Sequence, residues 1–330
     1  MNAPKDRLTA VLHQHPFRAA RGLRSPHAQT LYGAFFRTVP AIDWTREPWP
    51  TPDGDVLQVV LREGRDDRPV AVLIHGLEGS VESPYITGVA SRLLASGYTV
   101  IAYNQRGCGG FKNQVKRLYH CGSTDDIAFV VDQARTRFPG RPIALAGVSL
   151  GGNQLGKWLA TGTVPDEVRG AVLLSPPFDL TVSGPHMDRN MWLYVRHFLK
   201  TLIPKALEKE RDFPGSMDPD AIRSSRDFNA YDTHATAALH GFKDATDYYR
   251  RVSCGQFLAE IRVPTLILAA QDDPFNPAET IPFDTVRRSE FLLGDFPQRG
   301  GHVGFIGGRL GRPVLWAEAQ TARFIEALPY

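Results

Sequence analysis

Short apolar runs alternate with helical patterns in the first half of the chain. The apolar runs cover 70–74, 98–103, 143–146 and 171–174, and apolar residues recur at helical spacing over 86–94 and 127–138. Continuously apolar runs are typical of strands buried on both faces, and strands that alternate with helices form parallel sheets. Residues 51–55 are typical of a hairpin turn that precedes another strand at 56–61. The pattern predicts an α/β fold whose mostly parallel central sheet is flanked by helices.

The alternation stops near residue 176 and resumes near residue 263. The intervening stretch of about 80 residues contains helical patterns and no convincing strand, whereas a βα connection usually has only a few residues. We therefore expect a helical cap inserted into the core. The expected organisation is an N-terminal arm packed on the core over 1–48, a first core part over 49–176, the cap over 177–260 and a second core part over 261–330.

One cap helix and two C-terminal elements are also predicted. Five apolar residues of the cap fall on one helical face, namely Trp192, Val195, Leu199, Leu202 and Ile203. We expect this face to pack on the core, and contact with an acyl chain or a lipid is the alternative. A last strand is expected at 290–293, followed by a terminal helix through Trp316 and Phe324.

The composition is that of an ordinary globular protein, with 22% charged and 42% hydrophobic residues in a chain of 330. A net charge of +3 without a Lys/Arg block gives no support for a nucleic-acid partner. No segment has the roughly 20 apolar residues that span a bilayer, and the N-terminus lacks the apolar run of a signal peptide. Cys108, Cys121 and Cys254 have neither disulfide nor zinc-site spacing. We therefore expect a cytoplasmic protein without a metal site, which contacts membranes at most peripherally.

The segment 147–152, GVSLGG, follows the apolar run at 143–146 and precedes residues with helical spacing. Ser149 is thus predicted at a sharp turn between a strand and a helix, where its hydroxyl points away from the sheet. Glycines are needed at 147 and 151 because a Cβ there would collide with the crossing strand and helix. The pattern is typical of a nucleophile elbow, and a glycine-rich turn whose serine only caps the helix is the structural alternative.

A serine nucleophile needs a positioned base, and the base needs an acid partner. Asp272 and Asp273 follow the predicted strand at 265–269, and His302 follows the strand at 290–293. Residues after the C-terminal ends of parallel strands share one sheet edge, and the order Ser, Asp, His is that of the α/β-hydrolase arrangement. We favour Asp273 as the acid because Asp-Pro-Phe-Asn-Pro resembles the turn by which hydrolases of this fold present it. Asp272 is the alternative.

Attack on a carbonyl also needs donors for the developing oxyanion. The elbow supplies the backbone N–H of Leu150, and the loop after the third strand, 75–80, supplies the N–H of Leu77 as the second candidate. Gly76 allows that backbone to approach the site closely. We expect His75 to hold the loop rather than to take part in the reaction.

Two other segments invite chemical interpretations that the sequence does not favour. The glycine-rich loop at 103–110 lacks a phosphate-binding pattern, so we expect it to border the pocket, and its Cys108 has no nearby base. Asp125 and Asp126 resemble a metal pair, but they precede a helical pattern, so we expect helix N-terminal charges instead.

Ordered motifs along nearly the whole chain resemble one branch of the α/β-hydrolase superfamily, the YheT-like hydrolases of bacteria, which are related to eukaryotic abhydrolase-domain lipases. The motifs are 21–30 (RGLRSPHAQT), 75–80 (HGLEGS), 106–110 (RGCGG), 119–126 (YHCGSTDD), the elbow, 239–242 (LHGF) with 248–249 (YY), 271–274 (QDDP) and 300–305 (GGHVGF). The motif at 21–30 suggests no chemistry of its own, and we expect it to dock the arm on the core.

The resemblance implies a serine carboxylester hydrolase with Ser149, Asp273 and His302 as its triad. We expect it to cleave small to medium acyl esters through an acyl-enzyme without a cofactor, with Gly76, Trp192 and Phe198 contacting the small-molecule substrate. The alternatives are an acyltransferase that uses the same triad, a phospholipase or monoacylglycerol lipase directed at lipids, and a non-catalytic binding protein of the hydrolase fold.

Overall fold

The computed structural model describes residues 3–309 and 311–330. The strands are β1 (Thr45–Pro50), β2 (Val56–Arg62), β3 (Val70–Ile74), β4 (Thr99–Asn104), β5 (Ile143–Val148), β6 (Val168–Leu174), β7 (Thr265–Leu268), β8 (Leu292–Asp295), β9 (Ile306–Arg309) and β10 (Arg312–Leu315). The helices outside the segment between β6 and β7 are α1 (Ala3–His13), α2 (Pro26–Phe35), α3 (Pro84–Ala95), α4 (Asp125–Arg137), α5 (Leu150–Thr161), α12 (Phe283–Arg288) and α13 (Trp316–Ala327).

The first eight strands form one sheet in the order β1-β2-β4-β3-β5-β6-β7-β8. β1 and β2 pair antiparallel and β2 joins β4 antiparallel, whereas β4, β3, β5, β6, β7 and β8 are parallel neighbours. The predicted α/β fold with its mostly parallel sheet is confirmed. β8 begins two residues later than the sequence predicts, because the Ser289 hydroxyl accepts hydrogen bonds from the N–H groups of Phe291 and Leu292 and the chain bends at 290–291 before the strand starts.

Two hydrophobic layers cover the two faces of the sheet. Along β3, Ala71 and Leu73 point into the layer that includes α1, α3 and α13, whereas Val70, Val72 and Ile74 point into the layer with α4 and α5. All five side chains are buried, as the continuous apolar run predicts. The sheet is therefore a rigid support for the loops at the C-terminal ends of its parallel strands.

The segment between β6 and β7 contains helices and no strand. They are α6 (Leu180–Asn190), α7 (Trp192–Asp212), α8 (Pro219–Ser224), α9 (Phe228–Tyr231), a π-helix (Asp232–Ala237), α10 (Ala238–His240), α11 (Ala245–Val252) and two 3₁₀ turns (Cys254–Gln256 and Leu258–Glu260). The predicted apolar face of α7 is buried at Val195, Leu199 and Leu202, but it packs mainly against the other helices of this segment rather than against the core. Trp192 at the first position of the helix is 56% exposed. Among the described helices, none combines the length and the apolar character of a membrane span.

Candidate active site

Ser149 lies between the end of β5 and the start of α5, with its backbone at φ +53°. The two glycines beside it have no room for a side chain. A Cβ at Gly147 would lie 2.4 Å from the Gly151 carbonyl oxygen, and a Cβ at Gly151 would lie 2.5 Å from the His75 carbonyl oxygen. The tight crossing of strand and helix therefore requires glycine at both positions and pushes the serine out of the sheet.

The three candidate side chains for the chemistry meet at the C-terminal edge of the sheet. Ser149 Oγ lies 2.9 Å from His302 Nε2, and His302 Nδ1 lies 2.8 Å from Asp273 Oδ2. The Asp273 side chain is only 2% exposed and that of His302 only 10%. The Asp273 carboxylate also accepts hydrogen bonds from the N–H groups of Phe275 and Asn276, which fix its orientation.

The two adjacent aspartates point in different directions. Asp272 accepts a hydrogen bond from the Gly301 N–H at 2.9 Å, whereas Asp273 faces the imidazole of His302. Burial raises the pKa of Asp272 above its usual value of 3.8. Asp272 therefore holds the backbone beside His302, and Asp273 contacts the imidazole itself.

The N-terminal arm holds the loop that carries His302, a contact that the sequence did not reveal. The His302 N–H donates to the Thr30 hydroxyl at 2.9 Å, and that hydroxyl donates to the Pro26 carbonyl at 2.8 Å. The buried Gln29 side chain accepts a hydrogen bond from the Ile306 N–H at 2.6 Å and donates one to the Ile306 carbonyl at 3.1 Å. α2 thus binds the histidine loop at two points.

Arg37, just after α2, extends this attachment. Its guanidinium pairs with Glu318 of α13, and both side chains are 1% exposed. It also donates to the carbonyls of Val303 and Gly304 at 2.9 and 3.3 Å. Removal of one partner of a buried pair leaves an uncompensated charge, so loss of either side chain would disturb the attachment of the arm.

Leu77 and Leu150 have the free N–H groups that an oxyanion needs. In the described residues, neither N–H has a hydrogen-bond acceptor, although the N–H of Gly76 donates to the Tyr85 hydroxyl and that of Glu78 to the Tyr119 hydroxyl. A Cβ at Gly76 would lie 3.0 Å from the Ser149 Cβ, so the loop passes close to the serine. The two free donors therefore lie on backbone that immediately adjoins Ser149.

His75 has a structural environment. Its Nε2 accepts from the Gln105 N–H at 3.0 Å, which leaves Nδ1 as the donor to the Gly76 carbonyl at 2.8 Å. Burial lowers the pKa of His75 to about 4, so the ring is neutral near pH 7. Both nitrogens are occupied in holding the loop.

A largely apolar cavity of about 890 Å³ opens above Ser149 and His302. Gly76, Trp192 and Phe198, which the sequence predicts at the substrate, all line it. Residues of the N-terminal arm also line the cavity, a contribution that the sequence did not predict. They are His27, Thr30, Leu31, Gly33, Ala34, Phe35 and Arg37. The cavity is thus formed by the core, the helices between β6 and β7, and the arm together.

The prediction that the loop at 103–110 borders the pocket is wrong, because none of its residues lines the cavity. Instead, Arg106 is buried and pairs with Asp53, Asp55 and Asp126, with N–O distances of 2.7 to 2.9 Å. Asp126 therefore has a guanidinium partner as well as its place at the start of α4. Burial raises the pKa of the Cys108 thiol to about 11, which leaves it in its unreactive form.

The sequence as a whole matches known hydrolases. A family model of the alpha/beta hydrolase fold matches residues 69–285. The chain belongs to this family and is an enzyme of the hydrolase class. It is 35% identical over 308 residues to YheT of Escherichia coli K12, which is named as an esterase, and the match covers 91% of this chain and 90% of YheT. The resemblance to YheT-like hydrolases is therefore confirmed.

More distant relatives are named for reactions on lipids. Phospholipase ABHD3 of Mus musculus is 26% identical, with 91% of this chain and 75% of ABHD3 covered. A monoacylglycerol lipase of Saccharomyces cerevisiae is 28% identical, with 79% and 60% covered. Among solved structures, the Pyrococcus furiosus esterase Pf2001 has a TM-score of 0.60 at 14% identity, covering 95% of this chain and 99% of its own. At that identity the structural likeness shows the shared fold.

Proposed function

We propose that the protein is a serine carboxylester hydrolase that cleaves small to medium acyl esters through an acyl-enzyme. The hydrogen-bonded series from Ser149 to His302 to Asp273 at the bottom of an apolar cavity carries this proposal. The esterase and lipase names of the relatives support the same reaction class. The three free and buried cysteines support a cytoplasmic location, where thiols stay reduced.

In the proposed reaction, His302 Nε2 takes the Ser149 proton as Oγ attacks the ester carbonyl carbon. The N–H groups of Leu77 and Leu150 stabilise the oxyanion of the tetrahedral intermediate. The imidazolium then protonates the leaving alcohol, and a water molecule that His302 deprotonates releases the acid from the acyl-serine. Asp273 orients the imidazole and stabilises its charged form.

We further propose that 177–260 acts as a cap that sets acyl-chain preference. Trp192 and Phe198 of this segment line the cavity, and Phe198 packs against Phe275, which in turn contacts the His302 ring. Each methylene of an acyl chain gains ~1 kcal/mol in an apolar pocket. Chain-length preference therefore depends on how far the pocket extends beyond the serine.

A panel of chromogenic esters of increasing acyl length tests both proposals. We expect the wild-type kcat/KM to rise over the first added methylenes by several-fold per carbon. Trp192→Ala and Phe198→Ala should move the preferred length, whereas Phe283→Ala, an exposed aromatic outside the cavity, should not. Equal losses for every ester in the cap variants would contradict the cap proposal, and no hydrolysis of any ester would contradict the esterase proposal.

A further inference from the structure

Large exposed apolar side chains are concentrated at the mouth of the cavity. In the described residues, eight large apolar side chains are exposed: Leu31, Phe35, Phe36, Trp192, Leu193, Phe283, Val314 and Tyr330. The first five lie on or beside α2 and at the start of α7, and we call these five the apolar lip. Four of them also line the cavity, all except Phe36. Exposed apolar groups that cluster in this way mark an interaction site.

The two helices that carry the apolar lip face each other. The rings of His27 and Tyr194 stack with centroids 5.8 Å apart, and His27 Nδ1 lies 3.1 Å from the Tyr194 hydroxyl. Further along, the rings of Phe35 and His197 are 6.4 Å apart. The lip side chains that line the cavity therefore lie together, where these two helices meet.

The chain around the lip, 8–42 and 189–207, has no acidic residue, although α7 ends with Glu208, Glu210 and Asp212 and the whole chain contains 35 Asp and Glu. These two stretches contain eight Lys or Arg, of which Arg37 and Lys205 are neutralised by Glu318 and Glu78. The other six are Arg18, Arg21, Arg24, Arg189, Arg196 and Lys200. Arg196 and Lys200 follow Leu193 by three and seven residues, so they share its side of α7. Both are exposed, and neither forms an ion pair within the described chain.

We propose that the apolar lip docks on the surface of an anionic lipid bilayer, so that the cavity opens into the lipid. Aromatic side chains enter the headgroup region while neighbouring cations contact anionic headgroups, which gives reversible binding rather than insertion. A second copy of the chain fits this surface less well because the cations of two such faces would repel each other. That the bilayer supplies the ester rests on the proposed function, but docking itself does not require Ser149.

Vesicle flotation tests the docking with the Ser149→Ala protein, which should leave the lipid intact. We expect binding to vesicles of phosphatidylglycerol and phosphatidylcholine, at least about fivefold weaker binding to phosphatidylcholine alone, and further weakening in high salt. Adding Phe36→Ser and Arg196→Glu together should reduce binding about tenfold, because these changes remove lip area and reverse a charge outside the cavity. Phe283→Ser with Arg288→Glu on α12 is the matched control and should bind like the parent.

Three outcomes would overturn the docking proposal: no binding to the anionic vesicles, an equal loss in the α12 control, or a dimer that the lip variant dissociates. With Ser149 restored, Phe36→Ser with Arg196→Glu should hydrolyse a water-soluble short ester at the wild-type rate, since neither side chain lines the cavity. Lys200→Glu alone gives a second test should the double variant unfold, and its full binding to anionic vesicles would contradict the proposal. Vesicle binding without hydrolysis of any ester would contradict the proposed function and leave docking supported.

Discussion

Ser149 and several residues near it have a positive φ, a backbone conformation that non-glycine residues rarely adopt. In the described chain, the other non-glycine residues with positive φ are Glu78, Ser175, Val303 and Phe305, all in loops beside Ser149 or His302. Such conformations cost on the order of 1–3 kcal/mol each and persist only where the surrounding structure fixes them. Here the Ser149 N–H donates to the Leu174 carbonyl at 2.8 Å, and Ser175 Oγ accepts from the Val303 N–H at 3.4 Å.

The adjacent aspartates give a residue-level prediction. Asp273→Asn should lower turnover by at least about 10²-fold because an amide facing the imidazole favours the wrong tautomer. Asp272→Asn should keep turnover within a few-fold of wild type, since the amide oxygen can still accept from the Gly301 N–H. Turnover and the thermal midpoint of both variants are measured together. A larger loss of turnover in Asp272→Asn would show that the acid is assigned to the wrong residue.

Asp232 in the cavity wall gives a pH-dependent stability prediction. Burial is the main cause that raises its pKa from 3.8 to about 6, although the hydroxyls of Thr236 and Tyr249 each donate to it at 2.7 Å. Because the folded state holds the proton more tightly than the unfolded state, this group destabilises the fold as pH rises from about 4 to 6. This loss of folding stability is absent below about pH 4 and complete above about pH 6.

Asp232→Asn removes the titration and should therefore gain stability relative to wild type as pH rises. Between pH 4 and pH 7 the difference in the free energy of unfolding should shift in favour of the variant by about 1–3 kcal/mol. Urea unfolding of both proteins at these two pH values measures the shift. A difference that stays constant with pH would show that the pKa of Asp232 is not raised in the folded state.

At the scale of elements, the strands that the sequence predicted best are those that are apolar on both faces. β3, β4 and β5 are continuous apolar runs, so their pattern alone locates them within one or two residues. The hairpin of β9 and β10 was not predicted, because Gly307, Gly308 and Arg309 show no alternation of apolar and polar residues. Its antiparallel pairing depends on the partner strand rather than on a local pattern.

The contact of the N-terminal arm with the His302 loop could not be predicted from the sequence. The hydrogen bond from the His302 N–H to Thr30 Oγ joins residues 272 positions apart. Nothing in the local pattern at 21–30 indicates such a partner, and the expectation went no further than that the segment docks the arm. The contact of α2 with the histidine loop forms only in the folded chain, where Gln29 becomes fully buried.

We predict that Thr30 acts as a positioning residue for His302. Thr30→Val keeps the side-chain volume but removes the acceptor of the His302 N–H, so kcat should fall about tenfold with little change in KM. Thr30→Ser should restore kcat because it keeps the hydroxyl. Thr87→Val is the matched control, since Thr87 is equally buried and also bonds the carbonyl four residues before it, but is not bonded to the histidine loop. A similar fall in kcat for Thr87→Val would show a general packing effect.

At the scale of the whole molecule, the sequence predicted the fold and the position of the three candidate side chains at one edge of the sheet. It could do so because Ser149, Asp273 and His302 each follow a strand of a parallel sheet, and the ends of such strands converge. It could not predict the cavity, because the walls come from segments far apart in the chain. The exposed position of Trp192 and the distance of the loop at 103–110 from the cavity depend on how those segments pack.

The central claim, that Ser149 is the nucleophile of an acyl-enzyme mechanism, is tested most directly by covalent labelling. The protein is incubated with a serine-directed alkyl phosphonate, digested and analysed by mass spectrometry, with Ser149→Ala as the control. We expect one stoichiometric adduct on the peptide that contains Ser149, loss of ester hydrolysis in step with labelling, and a fall in turnover of about 10⁴-fold or more in Ser149→Ala. An adduct on any other side chain, or more than a few per cent of wild-type turnover in Ser149→Ala, would contradict the account.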